Sequence, residues 1–325
     1  MMLERLIVDG KEIKQAISSS SKKSDQENSS NNDMLTLFKK LSDSTNYYEI
    51  PVQKGLNVDM SSYPHMLICG VTGFGKSYFT NYIIAMASYK GAVLFLSDPK
   101  NSDLALLSRY IPEENVAVST EDIVAQVEKV YNLMEERYKL INELKLKDDG
   151  DKDRFSDFGI PMALLVLEEM GALTASLDKK QKERFNKHLK QILLKGRQAG
   201  VEVILITQQP NSSNVPTELR DQFNFRVFLG EAKAQVKPMI FGDGHEYIER
   251  RFDIGEGLYM LEGKTDNPKL IQTPYYNGKA FKSIYEQVYA PQYIYRDNSD
   301  SAYMNLYTEL SGTTSDVSDK EDVEV

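Results

Sequence analysis

Eight consecutive residues, Gly70-Val71-Thr72-Gly73-Phe74-Gly75-Lys76-Ser77, satisfy the spacing G-x-x-x-x-G-K-[ST] at every fixed position. Each requirement has a chemical cause. The glycines let the backbone curl so that successive N–H groups turn toward phosphate oxygens. Lys76 reaches the β- and γ-phosphates, and the Ser77 hydroxyl can ligate Mg²⁺. A helix that starts here aims its positive end at the same anion. The motif follows a short apolar run, His65–Cys69, and precedes a helical pattern from Tyr78 to Ser88, as a phosphate cradle requires. By average composition, a chance match in a chain of this length has a probability of roughly one per cent. All eight residues are therefore read as an ATP-binding loop.

Holding a nucleotide does not require hydrolysing it. Hydrolysis needs one carboxylate to hold the metal and its waters and another to activate the attacking water. The apolar run Met162–Leu167 delivers Glu168-Glu169 at its end, where ligands bind in open α/β sheets. Glu168 is assigned to the Mg²⁺ shell with Ser77, and Glu169 to water activation. The plain alternative is a solvated acidic pair. The metal-side carboxylate is usually Asp; Glu adds roughly 1.5 Å of arm around an ion that wants oxygens at about 2.0–2.1 Å. A small strand shift or a displaced water would accommodate it; slow turnover is the other outcome. Another apolar run, Val201–Ile206, ends in Thr207-Gln208-Gln209-Pro210. Gln208 is placed to touch the γ-phosphate or the attacking water, its alternative being an amide that caps a strand end.

These residues need a scaffold. Apolar runs at His65–Cys69, Ala92–Leu96, Met162–Leu167, Val201–Ile206, Phe225–Leu229 and Gly257–Leu261 predict strands, and they alternate with helical patterns. That order predicts an α/β fold with a mostly parallel central sheet flanked by helices. A long helix should open at Ser119 or Thr120, its Ile123, Val127, Val130, Met134, Tyr138 and Ile141 forming one core-facing stripe. The expected organisation is a flexible polar segment over 1–45, with a low-complexity stretch Ser18–Asp33 and a short amphipathic stretch Met34–Leu41. An ATPase domain should follow over 46–290, then an acidic tail over 291–325.

The bulk numbers narrow the classes. The 325 residues are 41% hydrophobic and 27% charged, as in an ordinary globular protein. No apolar run approaches the roughly 18–20 residues of a membrane span, and the first residues do not resemble a signal peptide. The single cysteine, Cys69, excludes an intrachain disulfide framework and fits a cytoplasmic protein, recruited by a partner if it works at a membrane. A net charge of −9 argues against a protein that coats DNA, although lysines inside a channel would escape that argument. His65 and Cys69 read as packing residues, and no His/Cys/Asp cluster has metal-ligand spacing beyond the nucleotide's own Mg²⁺.

In its ordered motifs the chain resembles the FtsK/SpoIIIE family of DNA-translocating ATPases. Tyr63-Pro64-His65-Met66-Leu67-Ile68-Cys69-Gly70 is similar to that family's entry to the phosphate loop, and Asp98-Pro99-Lys100 to its D-P-K element. Met134-Glu135-Glu136-Arg137-Tyr138 resembles its M-x-x-R-Y helix, and Glu168-Glu169-Met170-Gly171-Ala172-Leu173 stands in for D-E-F-A-D-L. Gly196–Val201 with Thr207–Pro210, and then Gly255–Met260, resemble two later elements. The resemblance implies a RecA-like P-loop NTPase core, a homo-oligomer assembled as a hexameric ring, and ATP-driven movement of double-stranded DNA. Chromosomal members carry membrane helices before the motor and a winged-helix domain after it; the short polar N-terminal part and acidic C-terminal extension here are not expected to form either. By analogy, the expected role is a coupling ATPase in conjugative transfer, serving a relaxase or membrane channel protein.

A ring implies a trans-acting arginine. Arg197 and Arg226 are the candidates, because each adjoins a core strand expected near the phosphate end. For DNA, Lys100 and the cluster Lys179, Lys180, Lys182, Arg184, Lys187 and Lys190 are candidates; a solvated helix face is the plainer reading of the cluster. Two other functions remain open at this stage. One is a protein-translocating ATPase of a specialised secretion system, and the other is a nucleotide-gated adaptor with weak hydrolysis.

Overall fold

Strands that are apolar on both faces must be covered on both faces. Five such runs become the parallel centre of an eight-stranded sheet. The computed structural model describes residues 36, 38–147, 150–208, 210 and 215–274. The polar segment through residue 35, residues 275–290 of the expected ATPase domain and the acidic tail lie outside the described residues.

In chain order the elements are β1 (Glu49–Gln53), β2 (Leu56–Asp59), β3 (His65–Gly70), α1 (Lys76–Tyr89), β4 (Val93–Ser97) and β5 (Val116–Ala117). There follow α2 (Thr120–Lys147), β6 (Ala163–Leu167), α3 (Met170–Ser176), α4 (Lys179–Ala199) and β7 (Val201–Thr207). The described chain closes with α5 (Thr217–Arg220), β8 (Phe225–Leu229), α6 (Lys237–Phe241), β9 (Glu256–Leu261) and β10 (Lys269–Gln272). The large sheet has the order β10-β9-β8-β3-β7-β6-β4-β5. From β8 to β5 every pairing is parallel, while β9 and β10 add antiparallel at one edge. All six strands read from the sequence form. The two-stranded β1–β2 hairpin, the short β5 and the edge strand β10 carried too little apolar pattern to be read.

The sheet divides the core into two. On one face Ile68, Leu94, Leu96, Val166, Ile204 and Val227 pack against α1 and the β1–β2 hairpin. That helix is enclosed from both sides, with Phe79, Tyr82, Ile83 and Met86 buried and the Tyr82 hydroxyl donating to Pro51 O at 2.6 Å. Its apolar residues therefore run around the helix instead of forming one stripe. On the other face Leu67, Phe95, Leu165, Val203 and Leu205 meet α2 and α4. The predicted stripe of α2 is confirmed at Ile123, Val127, Val130, Met134 and Ile141, all buried; Tyr138 is half-buried and its hydroxyl donates to Lys195 O at 2.7 Å. With 28 residues, α2 is long enough that its last apolar residues, Leu140, Ile141 and Leu144, reach the opposite core.

Two residues singled out in the sequence turn out to fasten these layers. Arg137 is almost fully buried, and its Nη1 donates to Ala199 O and Gly200 O, both at 3.1 Å, tying α2 to the turn that feeds β7. His65, equally buried, lies 3.1 Å from Leu193 O through Nε2 and accepts from Val203 N–H through Nδ1 at 3.1 Å. Burial pushes its pKa down to about 4, so the ring is neutral and bridges α4 to the centre of the sheet. Cys69 lies inside the second core, as its position in a strand implied.

Candidate nucleotide site

The parallel strands all end on one side, and the chemistry gathers there. At the end of β3 the chain turns sharply because Gly70 lies against β8. A Cβ on Gly70 would come 2.4 Å from Leu229 O and 2.9 Å from Leu229 N, so no side chain fits. Gly75 then enters α1 with φ of 92°, a conformation that favours glycine. Between them the loop folds over itself, and Lys76 Nζ donates to Gly70 O at 2.7 Å and Val71 O at 3.1 Å. Burial pulls the pKa of Lys76 down and the nearby Glu169 carboxylate opposes the shift.

β7 stands between β3 and β6, so the phosphate loop and the Glu168-Glu169 pair are separated by two strand spacings, roughly 9.5 Å. That gap suits a terminal phosphate and a water. The end of β7 fills its floor with Gln208, whose Oε1 accepts from Thr72 Oγ1 at 3.3 Å. A cavity of about 580 Å³ results, lined on its polar side by Lys76, Ser77, Glu168, Glu169, Gln208 and Lys100. The sequence placed five of these six side chains at a nucleotide. Lys100, a candidate for DNA contact, also lines this cavity. The loop that carries it is held by Asp98, a buried carboxylate accepting from Lys100 N, Ser102 N and Ala105 N.

The two glutamates differ in their surroundings. Glu168 lies mostly buried, and its Oε2 has no hydrogen-bond partner. Burial, reinforced by Asp98, Asp103 and Glu169, raises its pKa to about 7. An orphaned, desolvated carboxylate oxygen lining the same cavity as Ser77 fits a divalent cation, which would supply the missing positive charge. Among the described residues no group of three or more His, Cys, Asp or Glu forms a metal site. Ser77 and Glu168, with the phosphates themselves, are the groups here that would hold a Mg²⁺ ion. Glu169 has the positive φ of 49°, costly for a non-glycine residue, and its Oε2 pairs with Lys100 Nζ at 3.1 Å.

The far wall of the cavity was not read as part of the site. Tyr78, Ile254, Gly255, Thr273 and Pro274 line it, the last four drawn from the chain around β9 and β10. Gly255 N–H donates to Phe74 O at 3.1 Å, so that edge of the sheet is tied directly to the phosphate loop. The Gly255–Met260 element was the available signal, but nothing in its spacing pointed toward a nucleotide.

Both candidate arginines depart from their expected position. Arg197 is in the last turn of α4, just before β7 begins, and Arg226 pairs with Leu67, three rungs back from Gly70. Each lies toward the beginning of its strand, whereas phosphate chemistry occupies the strand ends. Adjacency to a strand in sequence does not say which end. Arg226 is also engaged within its own chain, donating from Nε to Phe223 O at 2.8 Å. Arg197 is exposed.

Comparison with known proteins agrees with this geometry. The family model described as "FtsK/SpoIIIE family" matches residues 45–227, more than half of the chain and all of the phosphate loop, the paired glutamates and Gln208. The chain belongs to the FtsK/SpoIIIE family. Among curated relatives, the FtsK domain-containing protein YdcQ of Bacillus subtilis is 31% identical over 208 residues, covering 64% of this chain and 43% of that protein. The DNA translocase FtsK of Streptococcus pneumoniae is 28% identical over 231 residues, 64% of this chain and 30% of that one. The chain thus spans less than half the length of these relatives. Among solved structures, the pCW3 conjugation coupling protein TcpA, in a monomer form with ATPγS, matches with a TM-score of 0.59 at 15% identity, covering 75% of this chain and 71% of that one. The cytoplasmic domain of the type VII secretion ATPase EccC of Thermomonospora curvata matches with a TM-score of 0.53 at 19% identity, covering 75% and 31%. The fold is therefore the RecA-like P-loop core that the motifs implied.

Proposed function

We propose that the chain is an ATP-hydrolysing motor that moves double-stranded DNA, acting as a coupling ATPase in conjugative transfer of a mobile element. The observation that carries the hydrolytic part is the placement of Glu169 and Glu168 across β7 from the phosphate loop. In that reading the loop amides and Lys76 would hold the phosphates, and Ser77 and Glu168 would hold a Mg²⁺ ion, which would supply positive charge against them. Glu169 takes a proton from the attacking water, and Gln208 orients that water and reports its loss. The movement of DNA rests on family membership and on relatives named DNA translocases; the role in transfer rests on the likeness to TcpA.

A hexameric ring would bring an arginine of one subunit to its neighbour's site, and Arg197, exposed at the side of the sheet where β7 begins, is freer for that contact than Arg226, which is bonded within its own chain. DNA contact would fall on α4. Arg184 and Lys190 of that helix already pair with Glu121, Glu128 and Glu218, whereas Lys179, Lys180, Lys182 and Lys187 are exposed. No described helix is long and apolar enough to cross a membrane. A relaxase or channel protein would then supply the link to one from the cytoplasm. The test is steady-state ATP hydrolysis with and without long linear duplex DNA across a salt series. Stimulation of several-fold, lost as salt rises, is expected of a phosphate-tracking motor. ATP hydrolysis by assembled rings that is indifferent to DNA would overturn the DNA reading and favour protein translocation, the activity suggested by the likeness to EccC.

A further inference from the structure

Lys100 stands between a carboxylate and the cavity in which a terminal phosphate would lie. It lines the same cavity as Lys76, Ser77 and Glu168, and its Nζ is bound to Glu169 Oε2 at 3.1 Å. Its backbone is fixed by Asp98, but its side chain is 49% exposed and able to swing. Glu169 is the less mobile partner, with a side chain only 16% exposed and a backbone locked at positive φ. The other charges facing this point are the carboxylates of Glu168 and Asp103 and the ammonium of Lys76. A terminal phosphate held between the loop and β6 carries more charge than one carboxylate and competes directly for Lys100.

We propose that Lys100 is a positioning residue that senses the terminal phosphate, leaving Glu169 for the γ-phosphate of ATP and returning to Glu169 when only a diphosphate remains. The exchange frees the Glu169 carboxylate to accept a proton only when there is a phosphate to attack. It also makes the ATP-to-ADP preference depend on a lysine well outside the phosphate loop. This deepens the nucleotide reading of the cavity and rests on it. The exchange breaks no covalent bond: a single ammonium moves between two acceptors, and the nucleotide brings the second.

The experiment measures equilibrium binding of ATPγS and of ADP, both with Mg²⁺, to the full chain and to Lys100→Met, Lys100→Arg, Glu169→Gln and Lys76→Ala. Lys100→Met should weaken ATPγS by about tenfold and ADP by less than about twofold, the loss of one charge-assisted contact made only to the γ-phosphate. Lys100→Arg should restore most of the difference. Glu169→Gln should tighten ATPγS and leave ADP unchanged, because the competing carboxylate is gone; a lysine that merely props the loop would not respond in this way. Equal weakening of both nucleotides by Lys100→Met would overturn the proposal and leave Lys100 as a general source of positive potential. No change in either, with wild-type binding intact, would reduce the pair to an idle surface contact. A wild-type chain that binds neither nucleotide, indistinguishable from Lys76→Ala, would instead remove the nucleotide reading and the proposal with it.

Discussion

Glu202 is the second residue of β7, completely buried, and neither of its carboxylate oxygens has a hydrogen-bond partner. Burial drives its pKa well above the usual value of 4.5; repulsion from Asp59 adds to the shift, and attraction to Arg137 opposes it. The folded chain therefore keeps a proton that the unfolded chain releases. Stability from this group is complete below pH 4.5 and is lost as pH rises toward the folded pKa. The slope in that window is about 1.4 kcal/mol per pH unit. Glu202→Gln keeps the shape and removes the ionisation, so the variant should lack this slope. Urea unfolding of both proteins at pH 6 and pH 7 compares them above the pI of about 5.1, where the wild type stays soluble. The advantage of the variant should be larger at pH 7 than at pH 6, the direction that a raised folded pKa requires. Glu168, whose pKa is raised to about 7, titrates in both proteins and cancels from the difference. A difference that stays constant with pH would refute the reasoning, because it would mean that Glu202 is ionised or solvated in the folded state.

The remaining expectations concern the site and its supports. Glu169→Gln should bind ATP yet hydrolyse it at least about a hundredfold more slowly in single-turnover assays, and a wild-type rate would remove the base assignment. Gly70→Ala should cost about 3 kcal/mol or more, since the new methyl meets the backbone of Leu229 and not a flexible side chain; a thermal midpoint within a degree or two of wild type would contradict the close approach. Arg137→Met should lower stability by about 3 kcal/mol with little change in the KM for ATP of the protein that remains folded, because its guanidinium binds carbonyls at Ala199 and Gly200. Arg226→Ala should likewise act through stability, and a selective loss of activity in wild-type-like folded rings would restore it as a trans-acting group.

The amino-acid sequence by itself determined whatever depends on near neighbours. The phosphate loop was legible because its glycines, lysine and serine must be contiguous to wrap an anion, and β3 and α1 were legible as its flanks. The strand ending in Glu168-Glu169 and the stripe of α2 were equally visible, because burial writes itself as an apolar run or a period of three to four. Chain order could not say which strands become neighbours, since pairing in a parallel sheet joins segments far apart in the chain. Only the tertiary structure put β7 between β3 and β6 and so opened a gap the size of a phosphate and a water. It also joined Lys100 to Glu169 across 69 residues, bringing a lysine considered for DNA contact to the candidate nucleotide cavity. The arginines went the other way. Parallel strands all point their ends to one side, and the residues just before a strand therefore belong to the opposite side, a distinction set by direction in space and invisible in spacing along the chain.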